Sequence, residues 1–371
     1  MKKIIPFLLM LLLSSTGFSQ DYFLFTGTYT TGESKGIYIY KFNSKTGAIT
    51  PVSITTGVEN PSYLAISANG KFVYAVNENG GEKPGEVSSF AFDRNKGELK
   101  YLNRQKTSGD HPCYVSTDKA GKWLFTANYT GGNLSAFPIR GDGSLGELAQ
   151  LIKHEGHGTD ARQDKPHVHS TILTPDQQFL LSPDLGLDKI YIYKFNPSAS
   201  QPLSEGADPF FTVKAGNGPR HLSFHPSKPF VYSIEELSGT VSAFEYKGSK
   251  FKQIQNISSH PAGYQGARGS ADIHTSPDGK FLYASNRGDA NSIAIFSIDG
   301  QSGKLMLKGI QSTEGKHPRN FTIDPSGNFL LVANRDSNNI VVFSINHQTG
   351  LLTMVGKPFS VPNPVFVGLL R

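Results

Sequence analysis

A chain of 371 residues with a single cysteine, Cys113, cannot form an internal disulfide or a multi-cysteine zinc site, so a packed core has to supply its stability. Helical apolar periodicity is nearly absent, which leaves strands to carry the fold. Cationic runs are lacking too. The formal charge of +6 falls to +4 once Lys2 and Lys3 are set aside, and it is spread along the chain, so nucleic acid is excluded as a partner. The longest apolar run, Ile4 to Leu13, is about half the ~20 residues that a membrane-spanning helix needs. No Pro/Ser-rich linker or charge block divides the chain, although it is longer than one ordinary domain.

The N-terminus has its own order: Met1-Lys2-Lys3, the apolar run, then Ser-Ser-Thr-Gly-Phe-Ser-Gln. These basic, apolar and small-residue zones predict a signal peptide over residues 1–20, cleaved after Ser19, and export to a periplasmic or secreted location. No cysteine follows to accept a lipid, so no membrane anchor is expected in the mature form. Residues 21–371 then form one domain.

Repetition explains that length. The segment from His317 to Phe343 holds two apolar strands around the turn Asp324-Pro-Ser-Gly327 and a third after Asp336-Ser-Asn-Asn339. Positions corresponding to its Pro318 recur upstream at Pro61, Pro112, Val168, Pro219 and Ser270, about 50 residues apart. Each is followed by a returning strand such as Phe72-Val-Tyr-Ala-Val-Asn77 or Phe281-Leu-Tyr-Ala-Ser-Asn286, then by a third such as Val241-Ser-Ala-Phe244. A fourth, shorter strand follows a Gly-rich turn, as in Gly97-Glu-Leu-Lys100. A seventh copy opens at Tyr22 without its first strand, and Asn363 to Leu370 at the C-terminus resembles the missing piece. The expectation is an all-β, seven-bladed β-propeller of four-stranded antiparallel blades, its ring closed by the C-terminal strand pairing into the N-terminal blade. A β-solenoid would give the C-terminal strand no purpose.

Function is sought where polar residues break the repeat. The position after each anchor reads Ser62, Cys113, His169, Arg220, Ala271 and Arg319. The position after each returning strand reads Tyr29, Glu78, Tyr129, Leu185, Glu236, Arg287 and Arg335. Because the hairpin folds back, both columns belong at one mouth of the channel.

The ordered motifs Lys165-Pro-His-Val-His-Ser170 with Pro183-Asp-Leu-Gly-Leu-Asp188, Gly218-Pro-Arg-His221 with Glu235-Glu-Leu-Ser238, Ser276 to Gly288 and His317 to Phe343 resemble the seven-bladed lactonase family. That family contains the propeller-type 6-phosphogluconolactonases and the carboxy-muconate lactonising enzymes. The resemblance implies metal-independent, cofactor-free chemistry on a small anionic or sugar lactone, with His169, Arg220, Glu236 and Arg287 as the catalytic set. Two guanidiniums can polarise an ester carbonyl, a neutral imidazole can take a proton from water, and a carboxylate can orient either. The family more often has Asn where Glu235 stands, which leaves open whether Glu235 or Glu236 faces the site.

Further substrate contacts are assigned to His167, Arg268, Asp272 and Arg335. The histidines His154, His157, His167 and His169 are alternatively a zinc set, and Asn128-Tyr-Thr130 matches a glycosylation sequon. Hydrolysis of a sugar lactone of the 6-phosphogluconolactone type is the leading reading. A muconate-type lactonising lyase and a non-catalytic binding propeller are the alternatives. Export sits awkwardly with a phosphorylated, cytosolic substrate.

Overall fold

The structure, a computed structural model, describes residues 21–371. The expected signal peptide lies outside the described residues. Twenty-eight strands form seven four-stranded antiparallel sheets. In chain order the blades are blade 1 (21–55 with 364–370), blade 2 (64–106), blade 3 (112–153), blade 4 (172–212), blade 5 (219–258), blade 6 (270–312) and blade 7 (318–360). Apart from blade 4, the first strands of successive blades pack side by side around the channel.

The reason for each hairpin is visible in blade 7. The Asp324 carboxylate accepts the Phe329 amide at 2.7 Å and the Ser326 amide at 3.1 Å, while Gly327 at φ 74° returns its amide to the Asp324 carbonyl. An aspartate that satisfies the turn's own amides and a glycine that accepts the left-handed conformation fix the reversal. Gly350, at φ 75°, is constrained twice, because a Cβ there would also lie 2.4 Å from the Phe281 ring.

Closure is as expected. The strand Pro364–Leu370 pairs with Asp21–Thr28, Phe23 opposite Leu370 through Thr28 opposite Pro364. Seven buried apolar clusters each draw on two neighbouring blades, so the core is a ring of blade interfaces rather than a single centre. The side chains that alternate on each strand pack against the next sheet.

Two expectations need correction. Most outer strands are not short: Glu98–Lys106 and Leu352–Ser360 have nine residues each and Leu203–Thr212 has ten, whereas Gln150–Lys153 of blade 3 has four as expected. Their exposed faces carry charged and polar residues, which masks the strand pattern. In blade 4 the first strand shrinks to Ile172–Leu173, and its anchor Val168 keeps only one bridge, to Asp184. The Asp184 carboxylate takes over some ladder work there, accepting the amides of His167 at 2.8 Å and Gly186 at 3.0 Å.

Candidate active site

One backbone device, repeated around the ring, builds the mouth. In all seven blades the residue after the returning strand donates its amide to the carbonyl just before the anchor: Tyr29 to Asn363, Glu78 to Asn60, Tyr129 to His111, Leu185 to His167, Glu236 to Gly218, Arg287 to Gly269 and Arg335 to His317. Just after the anchor the ladder slips. Pairing jumps from Pro112 to Tyr114, from Pro219 to His221 and from Pro318 to Asn320, leaving Cys113, Arg220 and Arg319 as bulged residues. A bulge re-aims one side chain out of the sheet, here toward the channel.

These side chains enclose a cavity of about 190 Å³, lined by Glu78, Cys113, Tyr129, Arg162, His169, Glu236, Arg287 and Arg319. Glu236 is its electrostatic centre. The Arg220 Nε lies 3.0 Å and the Arg287 Nη2 2.8 Å from Glu236 Oε2, while Arg162 bonds Oε1. The His169 Nε2 stands 3.9 Å from Oε2. Burial alone would raise the carboxyl's pKa, but Arg287 and Arg220, with His169 and Arg162, hold it well below the ordinary range. Glu236 is therefore ionised.

Burial, then the charge of Arg220 and the neighbouring His221, drive the His169 pKa well below 6.5 against the pull of Glu236, so the imidazole is neutral. Its Nδ1 faces the Cys113 Sγ at 3.6 Å, and its ring meets Tyr129 edge to face. Burial pushes the Cys113 thiol up to about 12, so it stays protonated. Burial lowers Arg287 to about 10, which still leaves it a cation. Arg287 is braced by the Gly269 carbonyl at 2.7 Å.

Of the expected catalytic set, His169, Glu236 and Arg287 line the cavity. Arg220 lies beneath it, 1% exposed, bonded to Glu236 and to the Ala271 carbonyl and resting against His221. Strand alternation separates the two adjacent acids. Glu235 ends the returning strand Phe230–Glu235 and is wholly buried inside the blade, and Glu236 turns to the channel.

The other assigned contacts lie elsewhere. His167 stacks on Tyr129, centroids 4.5 Å apart, and its Nδ1 meets the Tyr129 carbonyl at 3.1 Å. Arg335 pairs with Asp336 at 2.6 Å. Asp272 is deeper in the channel, held by His221 at 2.8 Å, His274 at 2.9 Å, Asn320 and the Phe321 amide. Arg268 lines an outer groove with Asp160, Arg162, Leu237, Gln265 and Gly266. The zinc alternative is scattered: His154 is engaged by Asp184 at 2.7 Å and Tyr193 at 2.9 Å, and His157 is exposed. Asn128 of the sequon is fully buried and bonded to Asn133 and Ser135.

Arg162 has no counterpart in the repeat. It comes from the long loop after blade 3, pinned by Gln163, whose side chain bonds the Leu185 carbonyl and the amides of Thr159 and Asp160. Glu78, Cys113, Tyr129 and Arg319, which complete the lining, all belong to the two rim columns.

Comparison with known proteins agrees with this architecture. Residues 23–369 match the family model described as lactonase, 7-bladed beta-propeller. A 6-phosphogluconolactonase of Bacillus subtilis (strain 168) is 38% identical over 353 residues, covering 94% of this chain and 99% of the relative. A 6-phosphogluconolactonase of Formosa agariphila is 41% identical over 317 residues, covering 85% and 90%. The solved structure of a Pseudomonas aeruginosa periplasmic gluconolactonase superposes with a TM-score of 0.91 at 37% identity, over 95% of this chain and 99% of that one. With a full-length family match, these relatives and the ring of seven blades, the chain belongs to the seven-bladed β-propeller lactonase family.

Proposed function

We propose that the protein is a carboxylic-ester hydrolase that opens a sugar-type lactone, of the 6-phosphogluconolactone or gluconolactone kind, in the channel-mouth cavity. The observation that carries this is a neutral His169 beside an ionised Glu236 that is itself ringed by three arginines. Water attacks the lactone carbonyl as His169 takes its proton, and Glu236 stabilises the imidazolium so formed. Negative charge growing on the carbonyl oxygen is met by Arg287 and Arg162 on the cavity wall. The proton then passes to the ring oxygen as the C–O bond breaks, giving the hydroxy acid. Arg220 is a positioning residue, acting through Glu236. The names borne by the relatives favour hydrolysis over ring formation.

A panel of aldonolactones and muconates assayed on purified protein, with a His169→Ala control, tests the assignment. Turnover of aldonolactones that disappears in the control supports it; turnover of muconates alone, or of nothing, refutes it. Residues 1–20 are read as an export signal, in keeping with a relative named periplasmic. Intact mass of protein recovered from the producing cell, short by about these residues, is the expected result.

A further inference from the structure

The mechanism uses one wall of the cavity. The opposite wall comes from blades 1, 2 and 7 and holds a second, largely buried ion pair that the reaction does not call on. Glu78 Oε1 accepts the Tyr29 hydroxyl at 2.9 Å, and Oε2 accepts the Ser62 hydroxyl and lies 3.4 Å from the Arg319 Nη2. The Arg319 guanidinium sits 5.5 Å from the centroid of the Tyr29 ring. Side-chain exposures are 13% for Arg319 and 12% for Glu78, yet both face the cavity. The field of Arg319 reaches His169, Arg220 and Arg287, so the two walls share one space.

A purely structural pair would be expected to use up its hydrogen-bonding capacity. This one does not. A guanidinium carries five N–H donors, and among the described residues the only hydrogen-bond partner of Arg319 is Glu78. Arg319 lines the cavity, so its remaining donors are available to a polar group of a ligand there. The pair also carries no net charge, so it makes no demand for an anion. What it offers to the cavity is the fixed donors of Arg319 beside the acceptor oxygens of Glu78, whose carboxylate the Tyr29 and Ser62 hydroxyls hold in place. That is the complement of vicinal hydroxyl groups, each of which both gives and receives a hydrogen bond.

We propose that Glu78 and Arg319, supported by Tyr29 and Ser62, form the subsite that recognises the ring hydroxyls of the substrate and so set a preference for polyhydroxylated lactones over unsubstituted ones. This rests on the lactonase reading above and adds the specificity-determining residues. The cavity, at about 190 Å³, has room for roughly six water volumes, the scale of one six-membered ring with its hydroxyls. A site built to bond hydroxyls discriminates strongly against an analogue that lacks them, because its buried polar groups are then left unpaired.

The test is the ratio of kcat/KM for glucono-δ-lactone to that for δ-valerolactone, which shares the ester ring and has no hydroxyls. Glu78→Gln and Arg319→Lys should each lower this ratio on the order of tenfold or more, chiefly through KM for the hydroxylated lactone. Tyr29→Phe and Ser62→Ala, which keep the ion pair and so guard against misfolding, should lower it severalfold. A ratio that stays within about twofold of wild type in folded variants, whether or not both rates fall, overturns the proposal. Wild-type protein that opens neither lactone overturns the lactonase reading and the subsite with it.

Discussion

Replacing Glu235 with Gln should stabilise the protein, and increasingly so as the pH rises. Glu235 is wholly buried and neither of its oxygens has a hydrogen-bond partner among the described residues. The Ser242 and Ser233 hydroxyls lie near enough to draw its pKa partly down, but neither reaches hydrogen-bond geometry, and burial still raises it from 4.5 to about 8. In four other blades the same position is an asparagine, Asn77, Asn128, Asn286 or Asn334, whose amide bonds a neighbouring carbonyl or side chain. The folded protein therefore prefers Glu235 protonated while the unfolded chain ionises it in the ordinary range. Below about pH 4.5 the group contributes no penalty. Between there and pH 8 the unfolded state gains by releasing the proton, so stability is progressively lost. At 1.36 kcal/mol per tenfold in proton affinity, the loss approaches about 3–5 kcal/mol above pH 8. Removing it in Glu235→Gln corresponds to roughly 5 °C in Tm for a domain of this size. Calorimetric melting of wild type and variant from pH 5 to pH 9 measures the difference, in which every other titration cancels. A Tm difference that does not change with pH would refute the reasoning.

Deleting residues 364–371 strips the strand paired with Asp21–Thr28 and removes Val365, Phe366 and Val367 from the core, so a large fall in Tm is expected and an unchanged melt would count against closure. Arg287→Ala should lower turnover on the order of 10²-fold with little change in melting, as for loss of one oxyanion donor. Arg220→Lys should recover only part of what Arg220→Ala loses, because an ammonium cannot hold Glu236 and the Ala271 carbonyl in one rigid plane. Since burial and Arg220 depress the His169 pKa, the acid limb of the pH–rate profile should lie below 6.5, activity falling only as the ring protonates; a limb at or above 6.5 would contradict a buried, arginine-flanked base.

The fold was legible because each blade repeats one set of turn residues and one alternating pattern, and because a chain that begins one strand short ends with one to spare. Much of the cavity was legible for the same reason. Cys113, His169 and Arg319 belong to the column after the anchors, and Glu78, Tyr129, Glu236 and Arg287 to the column after the returning strands. Arg162 was not, since the loop that carries it has no equivalent in other blades. Asp272, assigned as a substrate contact, is not on the cavity lining: in blade 6 the register slips from Ser270 to Ile273 and two residues share the irregularity. Nor could spacing reveal that Arg220 ends beneath the cavity: its reach is limited by the Ala271 carbonyl of the adjoining blade, a contact between distant segments.

The repeated bulge separates two tasks that most enzymes must solve together. Residues inside each blade decide whether the ring assembles, whereas the residue after the returning strand is held by a main-chain bond that any side chain leaves intact, and the bulged residue stands outside the ladder. Substitutions at those positions can therefore alter chemistry while touching few of the contacts on which folding depends. Blades 3, 5 and 7 each contribute such a pair of positions, and a new substrate can be approached by changing one blade at a time. The geometry acts as a socket with interchangeable fittings, which is one physical way for a single ring to change its chemistry without changing its fold.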